Sequence, residues 1–496
     1  MKDDTEQPKP ATGSSPFLLV FPSIMLPMFL AVVDQTIVAT ALPAIAATLG
    51  GVERVSWVVV AYLVAGTIAA PVYGQLRDVF GGRRMMFVAL GIFLVASLLC
   101  TVAVSIEMLA AARILQGLGG GGLMTLSQAL IGETVAPRER ARYQGYLASI
   151  IVTSSTFGPV VGGLLTHHFG WRSVFLVNLP LGAIAVLLTL RLEPRPGRGQ
   201  PFSFDRIGLV LFIAFIGPLL LGLEQAQRMS AGALPAFLVL MGIATTALVG
   251  LVARERRAAT PLLPIHLLRQ PTIWRSDALA ACHGATLVSL VTFLPIYLRV
   301  VHGASASDTG LLLLPLMFGI GAGSMATGRI VSRTGRTMIF PAVGLIVATI
   351  GLALLGLLAG SFGARQLSLY LFLCGLFMGT VMGVVQVTVQ NAAGAASLGS
   401  AAASVQLSRS IGAAIGTALV GTVLFAMLSV SDPDAARLLA GLLQLGPGAI
   451  ADLAPERQAV VLAEVATAFR AAFLTIASFA AIGTVLAWTI PMRRLT

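Results

Sequence analysis

The chain has 496 residues, of which 57% are hydrophobic and 10% are charged, and its mean hydropathy is +0.92. Charged residues make up about a quarter of an ordinary soluble chain, so this composition excludes a soluble globular protein and indicates a polytopic membrane protein. The formal net charge of +12 does not indicate a nucleic-acid partner, because the arginines stand singly or in small groups between apolar runs.

The apolar runs predict an all-α fold, since a helix needs about 20 apolar residues to span a bilayer. Residues 1–15 mix charged residues with proline and serine, and they predict a disordered cytoplasmic tail and not a signal peptide. The remaining chain predicts 14 transmembrane helices, at 16–42, 55–74, 85–105, 107–133, 141–166, 172–192, 206–226, 233–253, 274–299, 306–328, 338–360, 366–390, 400–429 and 467–491.

Arginines concentrate in alternate loops, which gives the protein an arginine-rich side. The groups on that side are Arg77, Arg83 and Arg84; Arg138, Arg140 and Arg142; Arg191, Arg195 and Arg198; Arg254, Arg256 and Arg257; Arg333 and Arg336; and Arg493 and Arg494. The positive-inside rule places this side in the cytoplasm together with both termini, and it predicts a multi-pass protein of the inner (plasma) membrane.

A short polar seam, residues 74–84, separates the second and third spans, and a worn copy at 328–336 follows the tenth. The two copies predict two six-helix bundles, at 16–200 and 273–496, with two inserted helices and their flanking loops at 201–272. Parallel halves of this kind place a substrate cavity at their interface near the midplane.

The one long outward loop, residues 430–466, lies within the second bundle. It predicts two amphipathic helical pieces, 435–445 and 455–469, separated by a Gly-Pro-Gly break. A periplasmic cap and a docking surface for a partner protein are both compatible with this pattern.

Ionisable side chains inside a span are expensive and therefore candidate functional groups. Asp34 in the first span and Arg113 in the fourth reach a similar depth, so they can exchange one charge, as a proton-coupled carrier requires. The alternative is a static pair that holds two helices together. By contrast, Arg409, Glu133 and Asp277 lie near predicted span ends, where snorkelling explains them.

Two further motifs suggest moving parts. Gly158 and Pro159, followed by Gly162 and Gly163, predict a kink or pivot at a packed helix interface. Asp78, at the cytoplasmic end of the second span, can accept hydrogen bonds from the positive N-terminus of a neighbouring helix and latch one conformation.

These motifs, in this order, resemble the major facilitator superfamily, and within it the 14-helix drug:proton antiporters. The seam resembles the family's loop between helices two and three, and segments 113–117 and 158–163 resemble its arginine and antiporter motifs. Segments 34–43 and 171–182 resemble the 14-helix group. Val79, Gly82 and Ser332 depart from the family's seam pattern.

The resemblance implies a fold of two rocking six-helix bundles that exports amphiphilic compounds in exchange for protons. The implied site residues are Asp34 and Arg113 for proton coupling; Gly74, Asp78, Gly81, Arg83 and Arg84 for the latch; and Gly158, Pro159, Gly162 and Gly163 for the hinge. Apart from the resemblance, Gln35, Gln116 and Gln386 are candidates for the lining of the substrate cavity. No cofactor is implied, and the isolated Cys100, Cys282 and Cys374 suggest neither a metal site nor a disulfide.

Other functions stay open at this point. A carrier dedicated to one metabolite, lipid or siderophore has the same motifs, and a periplasmic adaptor with an outer-membrane channel is a candidate partner. A membrane enzyme acting on lipids is disfavoured, because the only histidine pair, His167 and His168, has no acidic neighbours. The lack of a second carboxylate at mid-depth favours neutral, anionic or monovalent substrates over divalent cations.

Overall fold

The computed structural model describes residues 17–50, 54–194, 204–228, 233–258, 260–263, 265–304, 306–358, 364–431, 438 and 454–495, and these ranges contain helices and no strands. In chain order the helices are α1 (Phe17–Leu49), α2 (Trp57–Phe80), α3 (Gly82–Thr101), α4 (Ile106–Thr134), α5 (Pro137–Phe169), α6 (Ser173–Leu176), α7 (Asn178–Thr189), α8 (Arg206–Arg228), α9 (Ala233–Glu255), α10 (Ile265–Leu268), α11 (Pro271–Val301), α12 (Ala306–Thr334), α13 (Ile339–Leu358), α14 (Ala364–Met378), α15 (Met382–Ala393), α16 (Leu398–Ser431) and α17 (Pro455–Thr489).

Within the described ranges, 12 helical segments are long and apolar enough to cross a membrane, when α14 and α15 are counted as one broken span. Two more segments complete the predicted set. One is α4, which a run of glycines and several charged residues make less apolar, and the other is the broken pair α6 and α7. The protein is therefore an all-α multi-pass membrane protein with 14 crossing segments, which confirms the predicted fold class.

The seam between α2 and α3 is much shorter than a connecting loop. Residues 74–80 complete α2 and residues 82–84 begin α3, so Gly81 alone makes the turn. Its φ of 90° lies in the region that favours glycine, and its N–H donates to the carbonyl of Arg77 at 2.9 Å. The polar residues of the seam are therefore held on helices, where their directions are fixed.

Two predicted spans are interrupted helices. The sixth span breaks between Leu176 and Asn178, and the twelfth breaks over residues 379–381. At the second break Gly379 packs directly against the backbone of α12, where a Cβ would collide with the carbonyl of Ile320. The first break brings the side chain of Asn178 into the interior, as described below.

The helices pack as two groups that meet along two helix pairs. Most buried apolar residues of α1–α7 form two clusters of their own, whereas the large cluster of α11–α17 also includes Ala141 and Val152 of α5. The groups touch where α2 packs on α16, with Gly74 against Gly399, and where α5 packs on α12, with Ala141 against Gly328. Glycine allows this backbone contact between the groups. The domain boundaries near residues 200 and 272 stay predictions.

The inserted helices α8 and α9 lie against the first of these helix pairs. Phe212 and Ile216 of α8 share a buried cluster with Leu407 of α16, and Ile68 of α2 packs against it. On the arginine-rich side, Arg254 in the last turn of α9 contacts Asp205 before α8 at 3.2 Å. Among the described helices, the inserted pair therefore packs mainly on the α2–α16 junction, through α8.

The predicted outward loop is shorter than expected at its C-terminal end. Helix α17 begins at Pro455, since proline is favoured at the first position of a helix, and it runs without interruption to Thr489. The second predicted amphipathic piece is thus the start of the last span. The first piece, 435–445, lies outside the described residues except for residue 438, and so does the predicted tail at 1–15.

Candidate functional site

A fully buried ion pair joins α1 to α4. Asp34 and Arg113 both have no exposed surface, and Arg113 Nη1 lies 2.5 Å from Asp34 Oδ2. The Arg113 Nε donates to the carbonyl of Val58 at 3.1 Å, and the guanidinium stacks 4.2 Å from the ring centre of Tyr62. Charges this deep persist only when they are paired and hydrogen-bonded, so this cluster fixes the relative positions of α1, α2 and α4.

Amide side chains complete the surroundings of the carboxylate. Gln116 Nε2 donates to Asp34 Oδ1 at 2.8 Å, and Asn178 Nδ2 donates to the same oxygen at 2.7 Å. Both amides also contact the hydroxyl of Ser97. Asn178 reaches the site because it begins α7 at the break after α6. The sequence predicted the pair but gave no role to Asn178, although a polar residue at a break within an apolar span is a usable signal.

The predicted hinge packs α5 against α1 next to this cluster. A Cβ on Gly158 would overlap the Thr36 hydroxyl, and one on Gly162 would lie 2.7 Å from the carbonyl of Ile37. Pro159 and Gly163 face away from this contact and are exposed. Gly158 and Gly162 therefore make the close contact, and a small movement of α5 displaces Thr36, two residues after Asp34.

Asp78 connects the two groups of helices. Its carboxylate accepts hydrogen bonds from the backbone N–H groups of Gly399 and Ser400, at 2.9 and 3.1 Å, and from the Ser400 hydroxyl at 2.9 Å. These donors belong to the first turn of α16, so a carboxylate of one group caps a helix of the other. This is the geometry that the latch prediction requires.

The other predicted latch residues divide into two classes. Gly74 makes the α2–α16 contact and Gly81 makes the turn, whereas Arg83 stacks on Phe87 and Arg84 is exposed, so neither arginine reaches Asp78. The cation at Asp78 is instead Arg77, which bonds Asp78 at 2.8 Å and Glu133 at 2.5 Å. The expectation that Glu133 snorkels at a span end was wrong, because it is part of this network.

Asp78→Asn is expected to weaken closure of the α2–α16 junction by about 1–3 kcal/mol, because the amide loses the charge-assisted bonds to α16 and to Arg77. Electron-spin distance measurements between labels at the exposed positions Arg84 and Ala395, in a background without native cysteines, should show a larger open population.

Glu107→Gln provides the control for this variant. It also removes a carboxylate from an ion pair, but the Arg54–Glu107 pair is 64% and 63% exposed, and such pairs contribute little. An open population that is the same in wild type and Asp78→Asn would contradict the latch.

A cavity of about 870 Å³ lies between the two groups. Its walls are mostly aliphatic side chains with Phe157, Phe318 and several methionines, and α5 and α12 supply much of the surface. Two close backbone contacts, Gly74 with Gly399 and Ala141 with Gly328, lie between the cavity and the arginine-rich side of the protein. The cavity is thus closed toward the arginine-rich side, in a volume range typical of small-molecule sites.

The three glutamines predicted for the cavity have different positions. Gln386 lines it and is 4% exposed, Gln116 belongs to the Asp34 cluster, and Gln35 is half-buried on α1 outside the lining. The structure adds Arg409, well inside α16, and His283 of α11 to the wall. The expectation that Arg409 snorkels at a span end was therefore wrong.

No group of three or more histidine, cysteine, aspartate or glutamate side chains in the described ranges is arranged to hold a metal ion. The expectation that Asp277 snorkels at a span end was also wrong. Asp277 is only 4% exposed, and its Oδ1 accepts a hydrogen bond from Ser404 at 3.3 Å. It does not line the cavity.

Comparisons with known proteins agree with this architecture. The family model of the Major Facilitator Superfamily matches residues 24–417. An uncharacterized MFS-type transporter of Mycobacterium tuberculosis is 33% identical over 361 residues, which cover 73% of this chain and 52% of that protein. The multidrug transporter protein MdtP of Bacillus subtilis is 32% identical over 366 residues, which cover 73% of this chain and 67% of MdtP.

Among solved structures, the human organic anion transporter MFSD10 has the same fold, with a TM-score of 0.66 at 14% identity over 96% of this chain and all of that one. The aligned part of the chain spans about half the length of its mycobacterial relative.

Proposed function

The chain belongs to the Major Facilitator Superfamily, and from that premise we propose that it is a proton-coupled antiporter that exports hydrophobic or amphiphilic compounds by alternating access. The observation that carries this proposal is the fully buried Asp34–Arg113 pair, one helix contact away from the central cavity. Asp34 is the proton site and Arg113 is its partner.

Protonation of Asp34 removes its charge and leaves Arg113 with only the neutral acceptors Gln116 and Val58. The pair is thus an element with two electrostatic states, as coupling to a conformational change requires. Thr36, two residues from Asp34, lines the cavity and packs under Gly158, so a shift of α1 reaches the substrate site directly.

The cavity wall supports a broad substrate range. Methionine side chains are flexible and adapt to different shapes, and several of them line the cavity, namely Met28, Met124, Met317, Met378 and Met382. MdtP, the relative named a multidrug transporter, supports the same interpretation. Under the positive-inside orientation, with the arginine-rich side and both termini in the cytoplasm, the cavity opens to the outside of the inner membrane.

Asp34→Asn is expected to abolish compound-dependent proton release from acidified inverted membrane vesicles, because asparagine cannot exchange the coupling proton. The assay follows pH on the addition of lipophilic compounds, with Asp308→Asn as a matched control because Asp308 is exposed at the start of α12. Equal release by wild type and Asp34→Asn would rule out Asp34 as the coupling acid.

A narrow response, in which one compound class releases protons and chemically different ones do not, would favour a carrier dedicated to one metabolite, lipid or siderophore.

A further inference from the structure

We propose that the cavity selects amphiphilic organic anions, with Arg409 as the residue that binds the anionic group. This inference rests on the proposed export function and specifies its substrate class. Arg409 belongs to α16 and is partly exposed to the cavity, and its Nη2 bonds the side-chain oxygen of Gln406 at 3.2 Å. Gln406 is a neutral partner, so the positive charge of Arg409 is not compensated by it.

The wall around Arg409 contains no acid. Among the described residues that line the cavity, none is aspartate or glutamate. The carboxylate of Asp277 lies nearer the arginine-rich side, where it accepts a hydrogen bond from Ser404, about one and a half turns before Arg409 on α16, and it stays outside the lining. A charge in an apolar cavity is costly unless it is paired, so an anionic ligand supplies the missing partner.

Two other residues that line the same cavity also offer hydrogen-bond donors. The amide nitrogens of Gln144 and Gln386 have no partner, and these side chains are only 3% and 4% exposed. Either rotation of an amide group leaves it able to donate. Helix α15 begins in the same wall at Met382, so the positive end of its dipole adds to the field.

The rest of the wall suits the apolar body of such a ligand. Aliphatic side chains, methionines, Phe157 and Phe318 enclose most of the volume of about 870 Å³. A ligand with one anionic head and a hydrophobic body therefore matches both parts of the site, whereas a lipophilic cation meets Arg409 with the same charge.

The test compares three fluorescent probes that share one ring system and differ in charge: pyrenebutanoate, pyrenebutanol and pyrenebutyl-trimethylammonium. Their binding to the purified full-length protein is measured in a non-ionic detergent at neutral pH. The wild type is expected to bind the anion at least about tenfold more tightly than the cation, as one charge-assisted contact suggests.

Arg409→Gln is expected to lower anion affinity by about tenfold or more while alcohol affinity changes less than about twofold, and Arg409→Lys should keep most of the anion preference. Gln386→Met, which removes donors without changing charge, should lower only anion affinity. Arg256→Gln is the matched control, since Arg256 is exposed after α9.

The proposal is overturned if the wild type binds the cation as tightly as the anion, or if Arg409→Gln weakens all three probes equally. If Arg409→Gln does not fold, the affinity of Gln386→Met for the anionic probe is the deciding measurement. An unchanged anion affinity in that variant contradicts the proposal. Proton release from vesicles distinguishes a wrong substrate class from a wrong transport mechanism. Proton release driven only by the cation would contradict the anionic substrate class but agree with antiport. Selective binding of the anion without any proton release would contradict antiport but agree with the substrate class.

Discussion

Replacing Arg113 with methionine is expected to lower the free energy of unfolding by about 3–5 kcal/mol, because it leaves the charge of Asp34 buried without a cation. The two amides that bond Asp34 cannot replace a positive charge, and the side chain has no exposed surface. The loss should appear as a lower midpoint in detergent-driven unfolding followed by tryptophan fluorescence.

The double variant Asp34→Asn/Arg113→Met separates the pair from ordinary packing. Removing both charges should regain most of the stability lost in Arg113→Met, even though proton exchange stays absent. Arg54→Met is the exposed control, and its ion pair with Glu107 should contribute little. A single variant as stable as the double would mean that the buried charge of Asp34 is compensated in another way.

Gly399→Val is expected to hold the α2–α16 junction open on the arginine-rich side. The added side chain meets the carbonyl of Gly74 and the carboxylate of Asp78, and backbone cannot move aside as a flexible side chain does. Overpacking of this kind typically costs about 1–3 kcal/mol, and here it acts only in the closed arrangement. The labels at Arg84 and Ala395 should therefore report mainly the long distance.

Gly91→Val is the matched control for this variant. Gly91 lies in the middle of α3, where an added Cβ meets nothing within 4 Å. Gly91→Val therefore changes helix propensity as Gly399→Val does, but it creates no steric overlap with a neighbouring helix. If the two valine variants give the same distance distribution, the Gly74–Gly399 contact does not control the conformation.

The sequence predicts the fold well because its strongest signals are local. Long apolar runs, arginine-rich loops and the repeated seam each occupy a short stretch of the sequence. Together they predict 14 spans, two of which form the inserted pair. The prediction is less accurate where a helix breaks inside a span, as at Leu176 and at Gly379, because a broken and an unbroken apolar run have similar composition.

The candidate site is predictable only where charge is unusual for its depth. Asp34 and Arg113 stand out because an ionisable group within an apolar run is rare, and the structure brings them together. The sequence pattern instead places Arg77, Glu133 and Arg409 at span ends or in loops. Glu133 lies on a different helix from Arg77, and the cavity that Arg409 faces is built largely by other helices, so only tertiary packing reveals these two positions.

The arginine in the cavity wall also affects the driving force. If one proton enters for each organic anion that leaves, both movements carry positive charge inward, and each cycle is electrogenic by two elementary charges. A potential of 100 mV then contributes about 4.6 kcal/mol per cycle, twice the about 2.3 kcal/mol available with a neutral substrate. A monovalent cation exchanged in the same ratio gains nothing from the potential, so the charge at Arg409 favours the cargo that a negative cell interior already expels.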